Sequence, residues 1–528
     1  MTHLYPGAKP MPPSRRKLPI GIQTFAQIVG EGYYYVDKTP FAHRLIESGK
    51  YYFLSRPRRF GKSLFLDTLK ELFESNESLF QGLFIHDCWD WTIRHPVISI
   101  SFAGGVLQSR AQLDERISEL LEDQQRRLQV TCTHHSLPGR FGQLIRGACE
   151  QTGQRVVVLV DEYDKPILDN LTDRDTALAM REGLKNLYSV IKDADAHLRL
   201  VFLTGVSKFS KVSLFSGLNN LNDITLDADY SAVCGYTDRD VDTVFAPELE
   251  ELDREEIRRW YNGYNWLGEA VYNPFDLLLL FAKRRFRPWW FETGTPSFLI
   301  NVLTERKTWL PTLGQLESDA ELLATFDVDD IPTVALLFQT GYLTIAREEN
   351  LGGNIFYQLC FPNHEVYQST YGSLLRAWTA NPQAEIQNRK TLYRLLQRHD
   401  LPGLKDLFQA FFASIPHQWY DNNPIARYEG YYASVFYSYF AALGLDITLE
   451  DATNQGRIDM TVQFEGRIYL FEFKVVELAP EGRALQQIKD RRYAEKYRTL
   501  GQPIALIGVE FSRAERNIVG FEVEEIVG

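Results

Sequence analysis

The chain has 528 residues, 45% hydrophobic and 24% charged, with a formal net charge of −12. This length and balance suit two to four soluble globular domains, and the acidity argues against a surface coated uniformly for nucleic acid while leaving room for a local basic groove. No run approaches the ~18 uninterrupted apolar residues of a membrane span, and Cys88, Cys132, Cys149, Cys234 and Cys360 lack CxxC spacing, which argues against a zinc module or disulfide frame and suits a reducing cytoplasm.

Residues 1–17 are Pro-rich and basic with no apolar run behind them, so they read as a flexible tail and not as a signal peptide. Leu18 to Val36 carries Gly and aromatics and leads into VDKT, and Thr39 to Gly49 has helical spacing at Phe41, Leu45 and Ile46. Next comes YYFLSRPRRFGKSLFL, Tyr51 to Leu66, an apolar strand, a turn with GKS, and a helix running to about Phe73. That layout belongs to phosphate-binding loops, whose backbone N–H groups and helix N-terminus face an anion. The candidate nucleotide contacts are Arg56, Pro57, Arg58, Arg59, Phe60, Gly61, Lys62, Ser63 and Leu64. Lys62 is expected to reach the β/γ-phosphates and Ser63 to offer its hydroxyl to Mg²⁺. Arg56 stands where the pattern GxxxxGK[ST] has its first Gly, which puts a guanidinium beside the expected phosphates.

Val97 to Phe102 reads as a second strand, and Leu113 to Leu128 as a charged, solvated amphipathic helix. RVVVLVDEYD, Arg155 to Asp164, is a fully buried type of strand with Asp161 and Glu162 at its carboxyl end, where open α/β sheets bind ligands. Asp161 is expected to hold Mg²⁺ through its water shell, and Glu162 to orient or activate the attacking water. The plain alternative is a buried strand with a polar exit. RLVFLTG, Arg199 to Gly205, is a further buried strand; Thr204 and Ser207 at its tip are candidates to sense a γ-phosphate, ordinary strand termination being the alternative.

RPRRFGKS, VLVDEYDKPI and TGVSKFSKVSLFSGLNNLNDIT together resemble the bacterial and archaeal AAA-ATPase-like family, whose members often carry a C-terminal nuclease-like domain. VDKT at Val36 to Thr39, WYNGY at Trp260 to Tyr264 and VYNPF at Val271 to Phe275 extend the resemblance over nearly the whole chain. The strand tips GKS, DE and TGxSK in this order imply a nucleoside triphosphatase core over 18–234, and the resemblance implies Lys62, Ser63, Asp161 and Glu162 as the nucleotide and Mg²⁺ residues and an Arg as normal at position 56.

From Gly235 to about residue 290 the periodicity is helical, as for a lid on that core. Trp260, Tyr261, Tyr264 and Trp266 read as core more readily than as base-stacking platforms, and Arg58, Arg59, Arg258 and Arg259 all remain open as an arginine finger. Residues 291–371 contain helices followed by two apolar runs around Gly352-Gly353, a winged-helix-like order. Glu348 and Glu349 beside Arg347 favour a structural or regulatory module over a base-reading one. A helical connector, 372–426, breaks at Pro402.

The last segment, 427–528, gathers an acidic set. Tyr428 to Leu443 reads as a helix with Glu429 in its first turn; GRIDMTVQF (Gly456 to Phe464), a turn at Glu465-Gly466, and RIYLFEFKVV (Arg467 to Val476) follow. A two-residue turn places Phe464 against Arg467 and, counting outward, Asp459 against Glu472, with Lys474 on the same strand face as Glu472. Two carboxylates suit Mg²⁺ or Mn²⁺, and Lys474 suits a developing negative charge. A surface hairpin with a Glu–Lys contact is the alternative, against which the apolar surroundings of Glu472 weigh. The pattern D…ExK with Glu429 before it and Gln487 in a following helix resembles the PD-(D/E)XK nuclease superfamily, with Ile458 in place of the motif's Pro. Lys489, Arg491, Arg492, Lys496 and Arg498 form a basic stripe suited to a phosphate backbone, though Asp490 and Glu495 interleave with it.

The sequence therefore leads to an α/β multidomain fold: a parallel-sheet P-loop core, a helical lid, a winged-helix-like middle and a C-terminal α/β nuclease-like domain. The expected function is an ATP- and Mg²⁺-dependent switch controlling a nuclease that acts on nucleic acid, DNA foremost. An ATPase scaffold whose nuclease-like domain binds without cutting is the second reading, and a small-molecule phosphotransferase ranks last. A homo-oligomer through the ATPase core stays open, and a cytoplasmic location without membrane contact is expected.

Overall fold

Four apolar runs in the first part of the chain become parallel strands of one sheet: β1 (Tyr51–Ser55), β2 (Val97–Ser101), β3 (Val156–Asp161) and β4 (Leu198–Gly205). A two-residue β5 (Asn222–Asp223) completes the order β2-β3-β4-β1-β5. Because β1 to β4 run parallel, Ser55 pairs with Gly205 and Ser101 with Asp161, so all four carboxyl ends lie along one edge. Both faces are covered: every residue of β1, and Val156–Val160 in β3, are buried. That is why these runs are continuously apolar and not alternating. The computed structural model describes residues 15–208, 220–294, 303, 313, 316–324, 332–378, 382–414 and 429–526. The tail before residue 15 and positions 209–219, part of the TGVSK stretch, lie outside the described residues.

The expected helix after VDKT is α1 (Thr39–Ser48), and the helix behind the GKS turn is α2 (Lys62–Phe73). The amphipathic helix begins earlier than its periodicity suggested: α3 (Arg110–Leu128) starts where the Ser109 hydroxyl accepts the Gln112 amide, an N-cap. It buries Leu113, Ile117, Leu120 and Leu121 and leaves its charges in solvent. Two long helices, α4 (Leu137–Thr152) and α5 (Arg174–Asp193), pack beside it.

The helical stretch after residue 235 shares a core with the beginning of the chain. Tyr34 and Val36 pack with Val241, Phe245, Ile257, Tyr261, Leu277 and Phe281, and Leu18 and Ile20 press against the same cluster. Tyr264 and Trp266 are buried too, so the aromatics of this stretch serve mainly as core. Farther on, the helix Thr333–Gln339 precedes the hairpin of β7 (Thr344–Leu351) and β8 (Asn354–Cys360), while β6 (Glu317–Asp319) pairs with β8. Gly352 and Gly353 both take positive φ at the turn, as a two-residue hairpin loop demands. On β7 the Arg347 guanidinium is ion-paired with Glu349.

The described residues form two compact units, one from 15–294 with 317–363, the other chiefly from 364 onward. The stretch 291–371 is therefore divided: its hairpin goes with the first unit, and α6 (His364–Trp378) with the second. In the second unit α7 (Pro382–Arg398) and α8 (Leu401–Ser414) flank the break at Asp400, with Pro402 at the start of α8, where a missing N–H costs nothing. After α9 (Glu429–Ala442) comes a five-stranded mixed sheet of β9 (Asp446–Thr453), β10 (Gly456–Phe464), β11 (Arg467–Val476), β12 (Ile504–Ser512) and β13 (Asn517–Ile526), in order β13-β12-β11-β10-β9. β11 and β12 are parallel, joined by a crossover containing α10 (Arg483–Asp490). Phe471 and Phe473 pack with Phe436 and Phe511 on one face, while α10 covers the other. Parallel core sheet, helical segments and C-terminal mixed sheet make the chain an α/β multidomain protein.

Candidate functional site

The carboxyl edge of the first sheet opens onto a cavity of about 520 Å³. Arg58 through Leu64 line it in sequence, as does Glu162. Gly61, at φ 91°, is the residue before α2, and Arg59 is also left-handed at φ 71°. These two turns bend the chain so that α2 begins against the cavity, the arrangement by which helix N–H groups meet anions. Lys62 is buried, and its ammonium donates to the carbonyls of Arg56 and Pro57, each at 2.9 Å. Burial pushes its pKa down from the ordinary lysine value, opposed by the nearby Asp161, Cys234 and Glu162. The Ser63 hydroxyl donates to Asp161 at 2.6 Å, joining loop and β3 tip. Asp161 also accepts the Glu162 amide at 3.0 Å.

Glu162 has φ 51°, a left-handed conformation that a non-glycine residue adopts at a cost of about 1 kcal/mol or more. Burial pushes its carboxyl up from the ordinary value, and Asp161 adds to that shift. Two residues on, Asp164 is almost fully buried and accepts the Val206 amide, the Ser207 amide and the Ser207 hydroxyl. Asp164 thus latches the end of β3 to the end of β4, a role its place in VDEYD gave no reason to expect.

Four of the expected contacts do not line this cavity. Arg56 does not point at the cavity: it is fully buried on the other side of the loop. Its guanidinium donates to the carbonyls of Ser55, Thr225 and Tyr230 and lies 4.0 Å from the Trp266 ring centroid. Burial lowers its pKa to about 10. With no glycine at that turn, the Arg fastens the loop to segments far along the chain. Pro57 likewise contributes its carbonyl to Lys62, not a surface to the cavity. Ser207 is occupied by Asp164, and the Thr204 hydroxyl is buried with no hydrogen-bond partner among the described residues; neither lines the cavity. Of the arginines held open as a finger, Arg58 and Arg59 line the cavity, whereas Arg258 does not and is engaged by Asp238. The opposite walls come from Ile22, Gln23, Tyr35 and Lys38 and from Cys234, Phe275 and Trp290. Two motifs carried this signal without being read for it, VDKT at Lys38 and VYNPF at Phe275.

The second constellation lies in the second unit. Glu465 and Gly466 both have positive φ, a two-residue turn, and Phe464 pairs with Arg467 as counted. The ladder runs to Met460 opposite Phe471, after which the Asp459 carboxylate accepts the Phe473 amide at 2.8 Å. Glu472 is fully buried; its Oε1 accepts the Lys474 ammonium at 3.1 Å and the Gln487 amide of α10. Lys474 also donates to the Phe473 carbonyl at 2.9 Å. Asp459, Glu472, Lys474 and Gln487 are therefore brought together. Glu429 begins α9, and its side chain lies outside the described residues. Among the described residues no three His, Cys, Asp or Glu side chains gather as a metal cluster; Asp459 and Glu472 lie on neighbouring strands, Asp459 accepting the amide of the residue after Glu472. A buried carboxylate held by an ammonium and an amide, beside a second carboxylate on the neighbouring strand, fits a hard divalent cation.

Two features that sequence reading did not reach hold α10 in place. Gly508 pairs with Glu472 across β11 and β12, and a Cβ there would run into the Leu485 backbone, so only glycine lets the helix lie this close. Glu510, buried and paired with Lys474, accepts the amides of Glu481, Gly482, Arg483 and Ala484 at the start of α10. A carboxylate there satisfies the orphan N–H groups and the helix dipole. The basic stripe beyond Gln487 is largely committed: Lys489 pairs with Glu524, Arg491 donates to the Gln455 carbonyl, and Lys496 pairs with buried Asp451.

A family model described as a predicted AAA-ATPase matches residues 19–215, and a model of the PD-(D/E)XK nuclease superfamily matches residues 427–521. An uncharacterised protein encoded in the vnfD 5′ region of Azotobacter chroococcum mcd 1 is 64% identical over 514 residues, covering 97% of this chain and all of the relative. No solved structure matches the chain. Among the described residues no helix is long and apolar enough to cross a membrane.

Proposed function

The chain belongs to the AAA-ATPase-like family and ends in a domain of the PD-(D/E)XK nuclease superfamily, and from that premise we propose that ATP bound in the first unit controls a divalent-metal-dependent nuclease in the second. The observation that carries the reading is Glu472: a fully buried carboxylate, held by Lys474 and Gln487, one strand from Asp459. Charge is kept in such a place only where something compensates it.

In the first unit, the N-terminus of α2 and Lys62 would bind the phosphates, with Ser63 and Asp161 holding Mg²⁺. Lys62 would exchange its two loop carbonyls for phosphate oxygens, so the loop can register the ligand through the backbone of Arg56 and Pro57. Glu162, its carboxyl biased toward the protonated form by burial, would take a proton from the attacking water. In the second unit, Asp459 and Glu472 would hold Mg²⁺ or Mn²⁺, which when bound lowers the pKa of water and screens the phosphodiester. Lys474 would neutralise charge developing on the phosphate, and Gln487 would keep Glu472 oriented. The substrate is nucleic acid, with DNA placed first.

One feature favours a second reading, a scaffold that binds without cutting: Lys474 is already engaged by Glu472 and the Phe473 carbonyl. The test is a cleavage assay on single- and double-stranded DNA and RNA with Mg²⁺ or Mn²⁺. Metal-dependent cutting that disappears in Glu472→Gln supports the nuclease; no cutting in any nucleotide state supports the scaffold.

A further inference from the structure

The basic stripe expected to meet a phosphate backbone is largely tied up in ion pairs and carbonyl contacts, and a different element of the second unit presents exposed positive charge. On α7, Ile386, Arg389, Lys390, Tyr393, Arg394 and Gln397 recur at three- and four-residue steps, so they share one face over ~16 Å of helix. They form one side of a groove of about 500 Å³ whose other wall includes Ala442 and Leu443 at the end of α9. Beside that face, α7 buries Glu385, Leu392 and Leu396. The groove face is therefore held rigidly by the core.

The charges on this face differ from those elsewhere in an acidic chain. Arg389 is neutralised by buried Glu385 and donates to the Ala442 carbonyl, which fixes the groove floor. Lys390 and Arg394 are exposed, one helical turn apart, and have no acidic partner among the described residues. Between them Tyr393 is 40% exposed, and its ring packs edge-on against Phe464 at 5.4 Å. A ring propped from behind, with two exposed cations one helical turn apart beside it, is a combination that single strands use: phosphates on the cations, an unpaired base on the aromatic. Phe464 ends β10, the strand that carries Asp459, so the Tyr393 ring is anchored to the hairpin that bears the acidic residues.

We propose that the α7 groove binds single-stranded nucleic acid, with Lys390 and Arg394 on the backbone and Tyr393 under a base. This rests on the nuclease reading and adds to it a path for the strand outside the acidic cluster.

The experiment measures binding of the full-length protein to labelled single-stranded DNA and RNA oligonucleotides over a salt series, with metal chelated so that nothing is cut. The double substitution Lys390→Gln/Arg394→Gln is expected to weaken binding at least ~10-fold at low salt and to lower the log–log salt slope by about 1.4, two lost contacts on a single strand. Tyr393→Ala is expected to weaken binding roughly tenfold with the slope unchanged. All three side chains are exposed, so the fold is expected to survive, and a thermal melt checks it. Parental affinity and slope in both variants would overturn the proposal, as would retention on phosphatidylserine vesicles in place of oligonucleotides. A parent that binds through this face yet never cuts with metal restored overturns the nuclease reading alone. A parent that cuts while binding ignores the substitutions, or while binding no strand, overturns this proposal alone, and a parent that neither binds a strand nor cuts with metal restored overturns both.

Discussion

The two constellations are built by opposite means. In the first unit the site is mostly backbone: a loop with two left-handed residues, the start of a helix, and a lysine resting on the loop's own carbonyls around a cavity. In the second the site is side chains within strands, with Glu472 buried and bonded to Lys474 and Gln487 at once. A site made of backbone keeps its shape when a functional side chain is lost, even though the ligand response goes with that side chain. A site made of mutually bonded buried side chains ties chemistry to packing. The comparison teaches that the first unit is suited to responding to a ligand and the second to holding fixed charge.

That contrast can be broken in several places. The largest expected effect is at Glu472→Gln, which keeps the shape and the Lys474 contact but removes the negative charge. Nucleic-acid cleavage should fall by roughly 10³-fold, with ATP hydrolysis and the melting temperature nearly unchanged. Equal loss of both activities would show that the two sites are not separable. Next is Arg56→Ala, measured by denaturant unfolding. Removing a buried guanidinium from the Ser55, Thr225 and Tyr230 carbonyls and from Trp266 should cost about 3–5 kcal/mol. Arg58→Ala, at the cavity, should leave stability within ~0.5 kcal/mol while lowering ATP affinity. If the two behaved alike, Arg56 would not be the fastener of the loop.

Smaller effects sharpen the same contrast. Asp164→Ala leaves the Val206 and Ser207 amides without their acceptor and should cost about 2 kcal/mol, read as a shift in unfolding midpoint. ATP hydrolysis should weaken with it as the β3 and β4 tips part. Finally, Glu162 has a raised pKa and must lose its proton to act as a base. Hydrolysis should therefore decline as pH falls through that raised value. Glu162→Gln should bind ATP yet show a low, flat profile; an unchanged acid limb would assign the titration to another group.

What the sequence made legible follows from range. The β10–β11 register could be counted because Glu465-Gly466 is a two-residue turn, so every pair out to Met460 and Phe471 follows from local geometry. The unbroken apolar run of β3 reads as a doubly covered strand for the same reason, since the signal lies within the segment. Arg56 was illegible because its partners Thr225 and Tyr230 lie 169 and 174 residues away, and no local pattern says which way a guanidinium turns. Glu510 was passed over because a single acid inside an apolar strand does not reveal that a helix begins above it. The hairpin of β7 and β8 was found from its Gly-Gly turn, but its allegiance to the first unit depends on contacts that periodicity does not encode.

The most direct test of the central claim follows Mg²⁺-dependent strand cleavage with and without ATP in the parent chain, Lys62→Ala and Glu472→Gln. The account predicts a parental rate that changes with ATP, a Lys62→Ala protein that cuts at one rate regardless of ATP, and a Glu472→Gln protein that hydrolyses ATP but does not cut. A Lys62→Ala protein that answers to ATP as the parent does would contradict it.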